Sequence, residues 1–341
     1  MKRHKIISSA LSLVLLLALT LPQQAFAFEK LFYYFDNVYG YDYFKKNSGH
    51  VDIIAPQMYT VGYDLKVKKP SNKSLKLAKE SKRKQVDTVP LLVNADFDKA
   101  LMSDILISQD AQDDIIDFMI EEARKRGYTG WQFDFENINH LDRDLYSAFV
   151  AKTYKAMKEE NLQFSVAVIT RSRDYDPNSP NQDWSSAYDY KAFAANSDFV
   201  SLMSYDDPYS EGPPASIPWT EKILDYMMTQ IPEEKISLGI PMYCWKWDDE
   251  INMRVGSLTH NLAAKEYAKG NKKTREKGYD KDLGAYYFKY SLKGSNYSVW
   301  CEGEESIRAK IGLIEKHDLH GFSAWAIGQE PTWLWKVLKE A

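Results

Sequence analysis

The residues best suited to chemistry lie in one short segment, Gly130-Trp131-Gln132-Phe133-Asp134-Phe135-Glu136. Gln132, Asp134 and Glu136 are two apart. In an extended strand this spacing puts the three polar side chains on one face and Trp131, Phe133 and Phe135 on the other. An inward polar row is costly unless hydrogen-bonded, because burial disfavours an isolated charge. A structural polar layer satisfies the pattern, and for a bare Asp-x-Glu it is the commoner explanation. The aromatic flanks and a place at a strand end favour chemistry instead. A carboxyl in a partly apolar cleft has its pKa raised by desolvation and by a like-charged neighbour. It then stays protonated near neutral pH, as a general acid for a glycosidic oxygen must.

Such a row needs elements to hold it. Apolar, β-rich runs occur at Leu31 to Asn37, Val51 to Val61, Thr88 to Asn94, Gly130 to Ile138, Gln163 to Arg171, Phe199 to Asp207, Ile236 to Trp247 and Gly321 to Gln329. Their nearly continuous apolar character suits strands covered on both faces, as in a parallel sheet. Helical patterns fall between them. Ser108 is placed to cap a helix, with Asp110, Asp113 and Asp114 near its positive end, apolar residues from Ala111 to Ala123 at helical spacing, and Gly127 as the stop. Leu145, Ala148, Phe149, Ala156 and Met157 suggest a second apolar face, and Ile307, Ile311 and Ile314 a third. Eight strands alternating with helices predict an α/β fold, a closed (β/α)8 TIM barrel. No glycine-rich phosphate loop follows any strand, which disfavours an open nucleotide-binding sheet. Residues 248–300 are too long for one helix and predict a small α+β insertion between strands seven and eight.

The 341 residues carry a formal net charge of −4, which argues against a nucleic-acid partner. Part of the 23 Tyr and 9 Trp must be core, but such amphipathic rings also suit a half-wet, half-apolar binding surface. Residues 1–27 combine a basic start, an apolar run from Ile6 to Leu21 and Ala25-Phe26-Ala27, the pattern of a secretory signal peptide cleaved before Phe28. The run is shorter than the ~20 residues a membrane span prefers. The expected products are a leader at 1–27 and one catalytic unit at 28–341, exported, monomeric and free of the membrane. Export allows Cys244 and Cys301, the two cysteines, to pair, although two separate buried thiols fit the sequence as well. Neither they nor the six His residues show zinc-ligand spacing.

With these elements in place, the segment resembles the strand-four signature of family 18 glycoside hydrolases, Asp-Gly-x-x-x-Asp-x-Glu, at Gly130, Asp134 and Glu136. Met203-Ser204-Tyr205-Asp206 resembles the family's Met-x-Tyr-Asp element on strand six. Gly239-Ile240-Pro241-Met242-Tyr243 resembles its strand-seven element, and Trp325 its strand-eight tryptophan. The resemblance implies retaining, substrate-assisted hydrolysis, an exception to the two-carboxylate scheme. Glu136 would be acid and then base, and the sugar's 2-acetamido oxygen the nucleophile. Asp134 would orient that group and stabilise its cationic intermediate. Tyr205 would bond the acetamido oxygen, Asp206 and Met203 would lie beside it, and Trp325 would floor the sugar. Tyr243, Tyr59 and Gln57 are further contact candidates. No metal or organic cofactor is implied.

Two departures narrow the resemblance. Thr129 replaces the family's first Asp and Gln132 its middle Asp, so a proton relay down the strand is cut short. Gln132 is expected to reach the site and to donate a hydrogen bond favouring ionised Asp134. With Ala55-Pro56-Gln57-Met58-Tyr59, and Val93-Asn94 ending strand three, the pattern is similar to the bacterial branch of spore-cortex and cell-wall N-acetylglucosaminidases. The expected partner is an N-acetylglucosamine-containing polysaccharide, with peptidoglycan ahead of chitin. A chitinase-like binding protein without catalysis is the rival of another class, and Glu136 argues against it.

Overall fold

The computed structural model describes residues 28–36, 39–70, 72–176 and 184–340. The expected leader at 1–27 and Asn37 at the end of strand one lie outside these residues. Seven strands of the barrel wall come first: β1 (Glu29–Tyr34), β2 (Ile53–Val61), β3 (Leu91–Asn94), β4 (Gly130–Phe133), β5 (Gln163–Ile169), β6 (Phe199–Met203) and β7 (Ile236–Pro241). A second sheet follows, of β8 (Tyr243–Asp248), β9 (Met253–Thr259), β10 (Glu276–Asp280), β11 (Ala285–Leu292) and β12 (Ser295–Cys301), before β13 (Gly321–Trp325) returns to the first. Strands β1 to β7 and β13 pair in parallel in the order β1-β13-β7-β6-β5-β4-β3-β2. Pairing of Leu31 through Tyr34 with Ile53 through Pro56 closes the ring. The expected barrel is therefore the fold observed.

Local chemistry sets the elements. Helix α1 (Gln109–Arg126) starts where Ser108 accepts from the Ala111 N–H and stops at Gly127, whose φ of 73° suits glycine. Its buried face, with Ile115, Met119 and Ala123, packs on the barrel, and Met119 O accepts from Trp131 Nε1 at 2.9 Å. Helix α2 (Arg143–Glu159) departs from the sequence expectation. Leu145 and Ala148 are exposed, and the buried face runs through Tyr146, Phe149, Val150, Thr153 and Met157. Positions 146, 149, 150, 153 and 157 follow the 3.6-residue period, and they pack under β4, with Phe133 and Phe149 centroids 5.1 Å apart. The stripe Ile307, Ile311 and Ile314 lies buried on helix α4 (Glu304–Lys316) as expected, α3 (His260–Lys269) being the helix of the insertion.

The insertion begins earlier than expected. The run from Ile236 to Trp247 is two strands: β7 ends at Pro241, and β8 leaves the barrel from Tyr243. Proline lacks the N–H that a continuing ladder needs. The second sheet is antiparallel, in the order β9-β8-β12-β11-β10, with α3 against it. Cys244 and Cys301 are joined by a disulfide, with Cα atoms 4.3 Å apart on the neighbouring strands β8 and β12. The bridge sits with Ala263, Tyr290 and Val299 in a small core of the insertion's own. Closing a loop over a separation of 57 residues stabilises by on the order of 4 kcal/mol in the chain-entropy account.

Candidate active site

The site is built upward from the barrel interior. Gln132 is fully buried, and its three polar bonds stay inside the barrel. Its Oε1 accepts from the Tyr33 hydroxyl at 2.9 Å, and its Nε2 donates to Ser165 Oγ at 2.9 Å and Ser201 Oγ at 3.0 Å. Ser323 Oγ joins Ser201 at 2.9 Å and Ser237 at 2.6 Å. The network links six strands: β1, β4, β5, β6, β7 and β13. The polar layer that the sequence allowed thus exists at the level of Gln132. This corrects two expectations. Gln132 does not line the cleft, and its amide donors go to serines rather than to Asp134.

Asp134 and Glu136 stand one and two steps above this layer, where β4 ends. Both line a cleft of about 1110 Å³ at the C-terminal mouth of the barrel. The backbone carrying Glu136 is clamped. Asn94, at the end of β3, accepts from the Glu136 N–H at 3.1 Å and donates to the Glu136 carbonyl at 3.1 Å. Tyr188 donates to the Phe135 carbonyl at 2.8 Å. Burial pushes the Glu136 carboxyl up to about 8, reinforced by the charges of Asp134 and then Asp206. Burial likewise raises Asp134, to about 7. Two carboxyls this close share protons, so near neutral pH the pair holds one and releases it reluctantly.

Around the pair, the cleft collects eight of the ten residues singled out in the sequence: Asp134, Glu136, Tyr205, Gln57, Met203, Asp206, Tyr243 and Trp325. Tyr243 donates to Asp206 Oδ1 at 2.5 Å, and its ring meets that of Tyr205 edge-on at 6.4 Å. Trp325, at the end of β13, is stacked on Phe35 at 5.9 Å and tilted against Tyr33 at 5.3 Å. Tyr59 is the second correction among the singled-out residues. The β2–β3 register shifts between Gln57 and Tyr59, so the two do not share a face as strict alternation requires. Gln57 lines the cleft. Tyr59 turns outward, fully buried, against Trp131 at 4.8 Å, and its hydroxyl meets Tyr128 at 2.9 Å and Glu122 at 3.2 Å.

Other wall residues had weaker sequence signals. Trp245 follows Tyr243 by two on β8 and could have been found by alternation. Arg254, on β9, had none, because its place depends on the insertion's folding. Trp184 is half-exposed at the rim. Among the described residues one grouping could offer metal ligands, Cys244, Cys301 and His260, within 4.8 Å of one another. Its two sulfurs are bonded to each other and provide no thiolate. Among the described residues no helix is long and apolar enough to cross a membrane.

A mouth of this kind, with a carboxyl that burial disposes to keep its proton, a second carboxyl and aromatic walls, is equipped for acid–base work on a sugar. Similarity to known proteins points the same way. The chain is 30% identical over 270 residues to the uncharacterized glycosylase YvbX of Bacillus subtilis (strain 168), covering 76% of each chain. It is 27% identical over 257 residues to the cortical fragment-lytic enzyme of the same organism, covering 73% of this chain and 58% of that enzyme's length. The fold superimposes on the Bacillus megaterium spore cortex-lytic enzyme SleL with a TM-score of 0.80 at 25% identity, over 92% of this chain and 73% of that one. A chitinase from Chromobacterium violaceum shares the fold with a TM-score of 0.81 at 23% identity, over 92% and 98% of the two chains. Residues 75–330 match the glycosyl hydrolases family 18. The chain belongs to that family and is a glycosidase.

Proposed function

We propose that this glycosidase is exported, and that its unit at 28–341 cleaves β-1,4 bonds after N-acetylglucosamine in peptidoglycan with retention of configuration. The observation that carries the reading is the carboxyl pair at the cleft floor, whose burial keeps one proton near neutral pH. Glu136, the outer carboxyl, donates its proton to the glycosidic oxygen as the bond breaks. The sugar's own acetamido oxygen attacks the anomeric carbon from the other face. Asp134 lies deeper, where its charge stabilises the oxazolinium ion in a water-poor site. Tyr205 bonds the acetamido oxygen, and Trp325 floors the ring. Glu136, now ionised, takes a proton from the water that opens the intermediate, and both groups return to their starting states.

Peptidoglycan is favoured over chitin because the cortical fragment-lytic relatives share this chain's barrel at 27% to 29% identity. The disulfide is in keeping with export to an oxidising compartment. Purified protein incubated with peptidoglycan and with chitin should release muropeptides with N-acetylglucosamine at the new reducing end, read by mass. Release of chitin fragments without muropeptides would replace this reading with that of a chitinase.

A further inference from the structure

Besides the carboxylates Asp134, Glu136 and Asp206, the described residues lining the cleft include one cation, Arg254. It comes from β9, an edge strand of the insertion's sheet. The β8–β9 register shifts between Lys246 and Trp247, so that Lys246 faces Gly256 and Trp247 faces Arg254. Bulges re-aim side chains at the edges of sites. Here the Arg254 guanidinium lies over the Trp245 ring, 4.1 Å from its centroid. Trp245 is itself held edge-on by Trp247 at 6.1 Å, and Trp247 Nε1 donates to the Gly212 carbonyl at 2.8 Å. The cation therefore rests on a braced aromatic platform. Arg254 is exposed, and among the described residues no carboxylate forms an ion pair with it.

A cleft whose charged side chains are otherwise acidic disfavours an anionic substrate unless a cation offsets them at the place where the anion sits. A stacked, unpaired guanidinium presents its N–H fork to a planar carboxylate, a geometry that an ammonium cannot match. We propose that Arg254 on its Trp245 platform is a specificity subsite for a carboxylate carried by the substrate, placed on the insertion wall of the cleft. This rests on the glycosidase reading and sharpens its choice of polymer. In peptidoglycan the carboxylate comes from one of two sources: the lactyl group of muramic acid when no peptide is attached, or the peptide stem when the lactyl carboxyl is spent in an amide.

The test compares kcat/KM for the parent, Arg254→Gln and Arg254→Lys on three substrates of matched length. These are glycan strands stripped of peptide, peptide-bearing strands, and neutral chito-oligosaccharides. Arg254→Gln should lower kcat/KM on an acidic substrate about tenfold more than on the neutral one, mainly through KM, equivalent to about 1.4 kcal/mol. The difference should shrink in 0.5 M salt, and Arg254→Lys should recover part of it. Selective loss on stripped strands identifies the lactyl carboxylate, and selective loss on peptide-bearing strands the stem. An equal change on all three substrates overturns the proposal while leaving the peptidoglycan reading intact. If the parent cleaves neither acidic strand, that reading fails, and carboxymethylated against plain chito-oligosaccharides then decides Arg254 by the same comparison.

Discussion

At the scale of single residues, the division of labour proposed for Asp134 and Glu136 rests on their depth. Both carboxyls are held above their ordinary range by burial, and Glu136 also by its neighbours' charges. Since the acid must be protonated, kcat/KM should fall by a factor of ten per pH unit above about 8, where the pair loses its last proton. Glu136→Gln should lower kcat by roughly 10²–10⁴-fold. It should also change stability in a pH-dependent way. A carboxyl whose folded pKa is raised binds its proton more tightly in the native state. The native protein therefore loses stability as pH rises from the unfolded value, ~4.3, through the folded value of about 8. The glutamine variant lacks this loss. Its Tm should exceed the parent's by a few degrees at pH 8.5 and match it near pH 4.5. A Tm difference that is flat across this range would contradict the electrostatic assignment.

At the scale of elements, β4 does two jobs that its sequence runs together. Gln132, Asp134 and Glu136 share a face, as their spacing of two indicates, but only the last two reach the cleft. Spacing fixes the face and says nothing of height along the barrel axis. Gln132 became interpretable only with Tyr33, Ser165 and Ser201 around it, and these lie on three other strands. Gln132→Leu would leave the Tyr33 and Ser165 hydroxyls without this partner in the buried interior, at about 1–3 kcal/mol for each group left unsatisfied, while Ser201 keeps its bond to Ser323. The expected result is a fall in urea midpoint equivalent to roughly 2–4 kcal/mol. An unchanged midpoint would mean that the layer is not a structural hub. Tyr59 was lost to the same kind of ignorance. Alternation from Gln57 points it inward, and a register shift, invisible in one strand's sequence, turns it out.

At the scale of the whole molecule, the barrel was legible because each of its eight strands carries a local apolar signature and the helices between them carry caps and stripes. The site's residues at 134, 136, 203, 205, 243 and 325 were legible because they sit at strand ends, where the fold requires functional groups to gather. The insertion's contribution was not. Its antiparallel pairing, its disulfide and the placing of Trp245 and Arg254 depend on contacts between segments some ten to sixty residues apart. The result is a two-part cleft: a floor set by the barrel, where the proposed chemistry takes place, and a wall set by the second sheet, which carries the proposed Arg254 subsite. The central claim concerns the floor, that the substrate's acetamido group and Glu136 together retain the anomeric configuration. Proton NMR of the digest in the first minutes, before mutarotation, tests it most directly. The β-anomer of the new reducing end should appear first, and the α-anomer should grow in later. An α-anomer formed first would contradict it.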